Sequence, residues 1–164
     1  MAIERTPGYG RVVVADRRLG GDDFLILVNA YGINAALIDA ALEARRRGVA
    51  LIGVSSRRHA ESIPANHPAR HPSKQNLHDL VDIAIDTKVP VGDAVVSVPG
   101  LADPVAAIST FANAFALNCL VIRTVAGLVA TRHIAATPDR RLDPAGDAAN
   151  DRFIDRFRDR VRAL

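Results

Sequence analysis

The sequence contains no tryptophan, two tyrosines and a single cysteine, Cys119, and its aromatic residues amount to 4% of the chain. One cysteine permits no internal disulfide. The scarcity of aromatics argues against a stacking surface for nucleic acid. No signal-peptide pattern opens the chain. The longest apolar stretch, around residues 111 to 130, is broken by Asn113, Asn118, Arg123 and Thr124, which makes it a poor membrane span. These absences predict a soluble cytoplasmic protein with no nucleic-acid or membrane partner.

What is present is aliphatic: 49% of residues are hydrophobic, mostly Ala, Val, Leu and Ile. Such a composition suits helices packed on a buried sheet. The net charge of +3 sits in ordinary surface places. Arg45, Arg46 and Arg47 end a helix, where cations favour the negative end of its dipole. Arg152, Arg156 and Arg160 alternate with Asp151, Asp155 and Asp159 on a C-terminal helix, as i,i+4 pairs do on a solvated face.

The spacing of apolar residues predicts a strand at 24–29 (FLILVN), a helix at 33–47 stopped by Gly48, and a strand at 49–54 (VALIGV). A polar segment rich in Pro and His runs from Arg57 to Gln75. Short strands are expected at 80–86 and 94–98. A long helix is expected from Asp103 as N-cap and Pro104 at its first position to about Arg132, with a last helix near 148–162. RVVVAD at 11–16 could supply one more strand. Strand, helix, strand at this spacing predicts an α/β fold: a doubly wound parallel sheet of about four to five strands flanked by helices. We expect one domain over 1–164, with an irregular or incomplete first unit at 1–23, a core at 24–132, and a C-terminal loop and helix at 133–164.

In such a sheet, ligands sit beyond the carboxyl ends of the strands. The turn Asn29-Ala30-Tyr31-Gly32-Ile33-Asn34 lies there, and so does Ser55-Ser56. Amides opening the helix favour an anion. Gly32 allows close approach, and Asn29, Tyr31 and Asn34 can bond hydroxyls; alternatively, the asparagines cap the helix and the glycine serves the turn. His59, His67, His71 and His78 cluster around Glu61 and offer acid/base groups near neutral pH; alternatively, they are solvated histidines of a loop. They carry no metal-ligand spacing, and Pro68 and Pro72 interrupt them, so neither metal nor cofactor is expected. His133 reads as a helix C-terminal cap, and Asp93 as a turn residue. The long helix is apolar around much of its circumference, which points to a subunit interface, with ordinary core packing as the competing account.

The stretch NAYGINAALIDAALEARRRGVALIGVSS resembles the sugar isomerase (SIS) domain. There a strand ends in Ser-x-Ser-Gly-x-Thr/Asn, and the following helix leads to a strand ending in small hydroxyl residues. HPSKQNLHDLVDIAIDTKVPVGDAVVSVPGL, ISTFANAFALN and NDRFIDRFRDRV are similar to later segments of one subgroup of phosphosugar isomerases. The resemblance covers roughly residues 20 to 162. It implies a phosphorylated sugar or related small anion held by Asn29, Tyr31, Gly32, Asn34, Ser55, Ser56, Ser109 and Thr110. It also implies acid/base chemistry by His59 or His71 with Glu61, and a homo-oligomer or a hetero-oligomer with another SIS chain. Asn29 and Tyr31 replace the family's loop serines. The first unit is short for the family, so the expectation extends to a site completed by another chain. Two classes follow: an aldose–ketose isomerase, or a non-catalytic module that binds a sugar phosphate or completes a partner. A nucleotide-binding Rossmann domain is disfavoured, because no G-x-G-x-x-G follows a strand.

Overall fold

The computed structural model describes residues 3–131 and 144–159. The chain divides into two compact units, Met1–Cys119 and Leu120–Leu164. The first holds helix α1 (Tyr9–Asp16), strand β1 (Phe24–Val28), helix α2 (Ala35–Arg46), strand β2 (Ala50–Ser55), helices α3 (Arg57–Ser62) and α4 (Leu77–Leu80), strands β3 (Ile83–Asp86), β4 (Ala94–Val96) and β5 (Val105–Ala107). Helix α5 (Ser109–Ala130) begins in this unit and continues into the second, which also contains α6 (Pro144–Phe157).

The fold is α/β with a parallel sheet flanked by helices, as the βαβ pattern predicts. That sheet has three strands in the order β1-β2-β3, with Phe24 opposite Ala50 and Ile52 opposite Ile83, rather than four or five. Residues 94–98 do not add a parallel strand. β4 pairs antiparallel with β5 in a separate ribbon, Ala94 opposite Ala107 and Val96 opposite Val105. The connection from β3 spans only residues 87–93, and a parallel neighbour needs a crossover of roughly a dozen residues.

Three further expectations are corrected. RVVVAD lies in a helix, although three valines in a row favour a strand. Only Gly10 and Val14, one helical turn apart, are buried there. A Cβ at residue 10 would sit 1.8 Å from the Ala36 carbonyl oxygen, so α1 crosses α2 at a distance only glycine permits. That contact overrides the local preference. Residues 80–86 divide between the end of α4 and β3, with Asp82 between them accepting from the Leu51 amide at 2.7 Å. Asp103 and Pro104 precede β5 instead of opening the long helix. The carboxylate that caps α5 is Asp93: its Oδ1 accepts from the amides of Ile108 (3.0 Å) and Ser109 (2.7 Å), and its Oδ2 from Ser109 Oγ (2.6 Å). The expected helix end near Arg132 and the cap by His133 fall outside the described residues. Just past the end of α6, Arg158 pairs with Asp155 of that helix at 2.9 Å.

The core is built by Val14, Ile38, Ala41, Ala44, Leu51, Leu77 and Leu80, with Leu25 and Leu27 packed against it. Side chains alternate across a strand, so Phe24, Ile26, Val28, Ile52 and Ile83 point to the other face. Phe24 is 65% and Ile83 56% exposed. Glu43, buried on α2, accepts from Arg46 (2.7 Å) and Arg47 (2.6 Å), and these bonds hold its pKa at about 2.

The polar segment after β2 is ordered by one side chain. Arg70 donates through Nε to the carbonyls of Ile63 (3.2 Å) and Pro64 (3.1 Å), and through Nη2 to those of Ala60 and Ile63. Its Nη1 reaches Asn76 Oδ1 at 2.8 Å. The loop is tied to the head of α2 by the His71 amide on the Ile33 carbonyl, 3.1 Å, and by a bridge between Arg70 and Asn34. Arg70→Lys keeps the charge but loses the planar fork. It should lower stability by about 1–3 kcal/mol and expose residues 63–76 to limited proteolysis; unchanged unfolding and unchanged cleavage would show that the clasp is dispensable.

Candidate functional site

The turn after β1 is held from within. Asn29 Oδ1 accepts from the amides of Tyr31 and Gly32, both at 2.9 Å. Its own amide extends the sheet ladder to Val54 O at 3.0 Å. Gly32 has φ +68°, and a Cβ on it would lie 2.8 Å from Ser55 Oγ. The Leu77 amide donates to the Gly32 carbonyl at 2.8 Å. The turn therefore lies directly on the carboxyl end of β2, where only glycine fits. Asn34 is buried and flanks α2, but its side chain caps nothing; Nδ2 donates to Glu4 Oε2 at 3.2 Å. The amides that begin α2 thus have no side-chain cap, although Ile33, Asn34 and Ala35 are themselves buried there.

Beside this turn stands His59, on α3. Its ring stacks on Tyr31 with centroids 4.0 Å apart and planes at 32°. The side chain is nearly enclosed at 5% exposure. Nδ1 lies 3.3 Å from the Pro90 carbonyl oxygen. That oxygen can only accept, so Nδ1 carries the proton and Nε2 keeps its lone pair. Burial lowers the His59 pKa below the usual imidazole value, against the opposing pull of the Pro90 carbonyl and the Asp93 charge. Burial raises the Tyr31 pKa, helped by the charges of Asp93 and Glu4. The result is a neutral imidazole next to a protonated phenol.

The other candidates are placed as follows. Ser56 is fully buried; its Oγ donates to Val89 O at 2.6 Å and accepts from the His59 amide at 3.2 Å, so it caps α3 and orients His59. Ser55 lies against Gly32 and lines a cavity of about 30 Å³ with Gly53, Arg57, His78 and Asp86. That volume admits about one or two waters and no sugar ring. A larger open cleft, about 340 Å³ beside Arg45, Ala50 and Asp82, lies at the amino end of β2 and contains none of the candidates. His71 bonds Asp39 Oδ1 through Nε2 at 3.2 Å and accepts from the Ser73 amide at Nδ1, 3.0 Å, so both ring nitrogens are engaged. Asp39 Oδ2 in turn accepts from the Gly8 amide. Glu61 is exposed on α3, 3.7 Å from His78 Nε2. Ser109 Oγ is spent on Asp93, and Thr110 follows it, exposed, on α5.

The structure brings together Asn29, Tyr31, Gly32, Asn34, Ser55, Ser56 and His59. His71, Glu61 and His78 are held in separate pairings. Among the described residues, no group of three or more His, Cys, Asp or Glu side chains could hold a metal ion. Arg70 and Asp39 escaped sequence reasoning, and Asp93 reads there only as a turn residue, not as the cap of α5. Their partners lie far along the chain, and only the Val91-Gly92-Asp93 turn hinted at one of them.

Two tests follow from this geometry. Gly32→Ala should destabilise the fold by about 1–2 kcal/mol through its left-handed backbone alone, and more through the contact with Ser55. Adding Ser55→Gly should recover only the contact part, so a full recovery or none in thermal melts would refute the packing account. His59 resists protonation when folded, whereas the unfolded imidazole accepts a proton near pH 6.5. Stability is therefore intact above that pH and falls as pH drops through it. His59→Gln should flatten this part of the stability–pH curve, and a curve of unchanged slope would exclude the buried neutral ring.

The family model of the SIS domain matches residues 1–56, which hold the turn, α2 and β2. Among curated proteins, a UPF0309 protein of Streptomyces coelicolor is 35% identical over 133 residues, 81% of this chain and 51% of that protein. A UPF0309 protein of Shouchella clausii is 29% identical over 150 residues, 91% of this chain and 59% of its own length. One from Oceanobacillus iheyensis is 32% identical over 123 residues, 75% and 48% respectively. The chain spans about half the length of the curated relatives it matches. With its strand–turn–helix–strand segment inside the matched residues, the chain is a member of the SIS-domain family.

Proposed function

We propose that the chain binds a phosphorylated sugar at the carboxyl end of β1 and β2 and acts as an aldose–ketose isomerase at a subunit interface, in the cytoplasm. The phosphate faces the uncapped amides of α2, while Asn29, Tyr31, Asn34 and Ser55 line the sugar's approach. The single observation that carries the catalytic part is the His59 imidazole, kept neutral by burial, with Nδ1 anchored to Pro90 and Nε2 left as a base. An enediol mechanism needs a group that removes a proton from one carbon and returns it to the next. Tyr31, with its raised pKa, keeps a hydroxyl proton to donate toward the substrate oxygen. His71 and Glu61 act outside this step: His71 holds the loop to α2 through Asp39, and Glu61 faces His78.

A second reading, a binding module without catalysis or a subunit that completes another SIS chain, is favoured by one observation. Asn29 occupies the amides of Tyr31 and Gly32 that would otherwise cradle an anion.

Solvent-deuterium incorporation into aldose and ketose phosphates separates the two. For the isomerase, His59→Gln should lower exchange by about 100-fold or more while sugar phosphates still stabilise the protein thermally. The acid limb of the pH–rate profile should lie below the usual imidazole range, since burial lowers the pKa of the His59 ring. Binding without exchange in the unmodified protein selects the module. Absence of both, even with a second SIS chain present, rejects the sugar-phosphate assignment.

A further inference from the structure

His59 is held from one segment, residues 89–93, between β3 and β4. The Val89 carbonyl accepts from Ser56 Oγ at 2.6 Å, and that hydroxyl receives the His59 amide at 3.2 Å. The Pro90 carbonyl oxygen lies 3.3 Å from His59 Nδ1 and also accepts from the Asp93 amide at 3.1 Å. A carbonyl oxygen has two lone pairs, so the ring and the turn share one acceptor. Where Asp93 stands therefore decides how the Pro90 carbonyl meets the ring, and with it the tautomer of His59.

Asp93 stands in an unfavourable place. Its φ is +67°, a left-handed backbone that Asp adopts at some cost, and it is buried. The end of the β4–β5 ribbon offsets both. Ala94 pairs with Ala107, so the next pair along is Asp93 and Ile108, and α5 starts at Ser109. The Asp93 carboxylate takes the amides of Ile108 and Ser109 and the Ser109 hydroxyl. A helix cap by itself requires one such bond and no link to Pro90. Through its side chain and its amide, one residue ties the head of α5 to the oxygen that His59 uses.

Charge follows the same line. Nε2 of His59 can act as a base only if the ring can carry the proton it takes. The imidazolium so formed still donates through Nδ1 to Pro90, while Nε2 holds the second proton. Burial opposes that charge, and the Asp93 carboxylate favours it. The titratable groups facing the ring are Tyr31, from the turn after β1, and Asp93. Glu4 acts on Tyr31, and Arg57, Arg58 and Glu61 of α3 are exposed to water. Among the described residues, Asp93 supplies the charge that favours the imidazolium.

We propose that Asp93 is a positioning residue for His59: it fixes the Pro90 carbonyl that orients the ring, and its carboxylate stabilises the imidazolium formed when Nε2 takes a proton. The catalytic consequence rests on the isomerase reading; the tautomer and titration of the ring do not.

The test uses the full chain with isotope-labelled histidine. Asp93→Asn keeps an oxygen for the two amides and offers Nδ2 to the Ser109 hydroxyl, so it removes the charge and leaves the geometry. Asp93→Gly removes the carboxylate without straining the left-handed backbone. Imidazole nitrogen shifts report the tautomer and the titration midpoint of His59, with His59→Gln assigning the signal. In Asp93→Asn the ring should keep its proton on Nδ1 and titrate at a lower pH than in the unmodified chain. There kcat for deuterium exchange should fall about tenfold with KM little changed. In Asp93→Gly the Nε2-protonated tautomer should appear as well. An unmoved midpoint in Asp93→Asn overturns the proposal, whatever the glycine variant does. So does full exchange activity in Asp93→Asn beside a loss in Asp93→Gly, which would reduce Asp93 to a helix cap. An unmodified chain that exchanges no proton fails the isomerase reading alone, and the His59 midpoint in Asp93→Asn then decides the positioning by itself.

Discussion

Everything at the carboxyl edge of the sheet depends on the missing side chain at Gly32. Its backbone lies so close to Ser55 that any β-carbon would collide with the hydroxyl. This contact sets the end of β1 against the end of β2, brings the Gly32 carbonyl under the Leu77 amide, and aims the head of α2 across the sheet. From it follow the position of Tyr31, the ring that Tyr31 stacks on, and the route of the polar loop over the start of α2. An interaction that exists only because an atom is absent leaves no slack. Any other residue here costs stability through the backbone and through Ser55.

Around that point, polar groups are satisfied in pairs by residues distant in sequence. Asp39 joins the Gly8 amide to His71; Asp93 joins the start of α5 to the field felt by His59 and Tyr31. Asp39 is hydrogen-bonded to two segments, so neither can move without breaking a charge-assisted bond, whereas the Asp93 carboxylate is bonded to the start of α5 and reaches His59 and Tyr31 only through its charge. The same economy explains Asn29. A turn that must hold its shape before any ligand arrives uses its own amide oxygen to occupy the amides of Tyr31 and Gly32. In the proposed site, preorganisation and anion binding would compete for the same donors, leaving the amides of α2 for the second role.

The sequence discloses what is local. The stretch from Phe24 to Ser55 could be read residue by residue, because a buried strand, an amphipathic helix and a glycine turn each leave a short-range pattern. Reading failed where the deciding contact is remote. Valines 12 to 14 look like a strand until Gly10 is known to touch Ala36. Asp103-Pro104 has the form of a helix start, yet the carboxylate that starts α5 arrives from Asp93. The histidines looked like one cluster, and their spacing could not show that His71 turns to Asp39 while His59 turns to Tyr31. Arg70, with its bonds to the carbonyls of Ala60, Ile63 and Pro64, is one arginine among many until the loop is folded around it.

The partly covered side of the three-stranded sheet, where Val54 is buried but Phe24 and Ile83 are not, has a colloidal meaning. Phe24 and Ile83 stand in water on a face with an open strand at each margin, β1 and β3. Edges of this kind template pairing with any neighbouring strand. The countervailing force between like molecules is electrostatic and small, a net charge of +3, and it is screened within about 10 Å at 0.1 M salt. Repulsion therefore fades as salt is added while the apolar attraction does not. Association through this face should accordingly rise with ionic strength as well as with concentration.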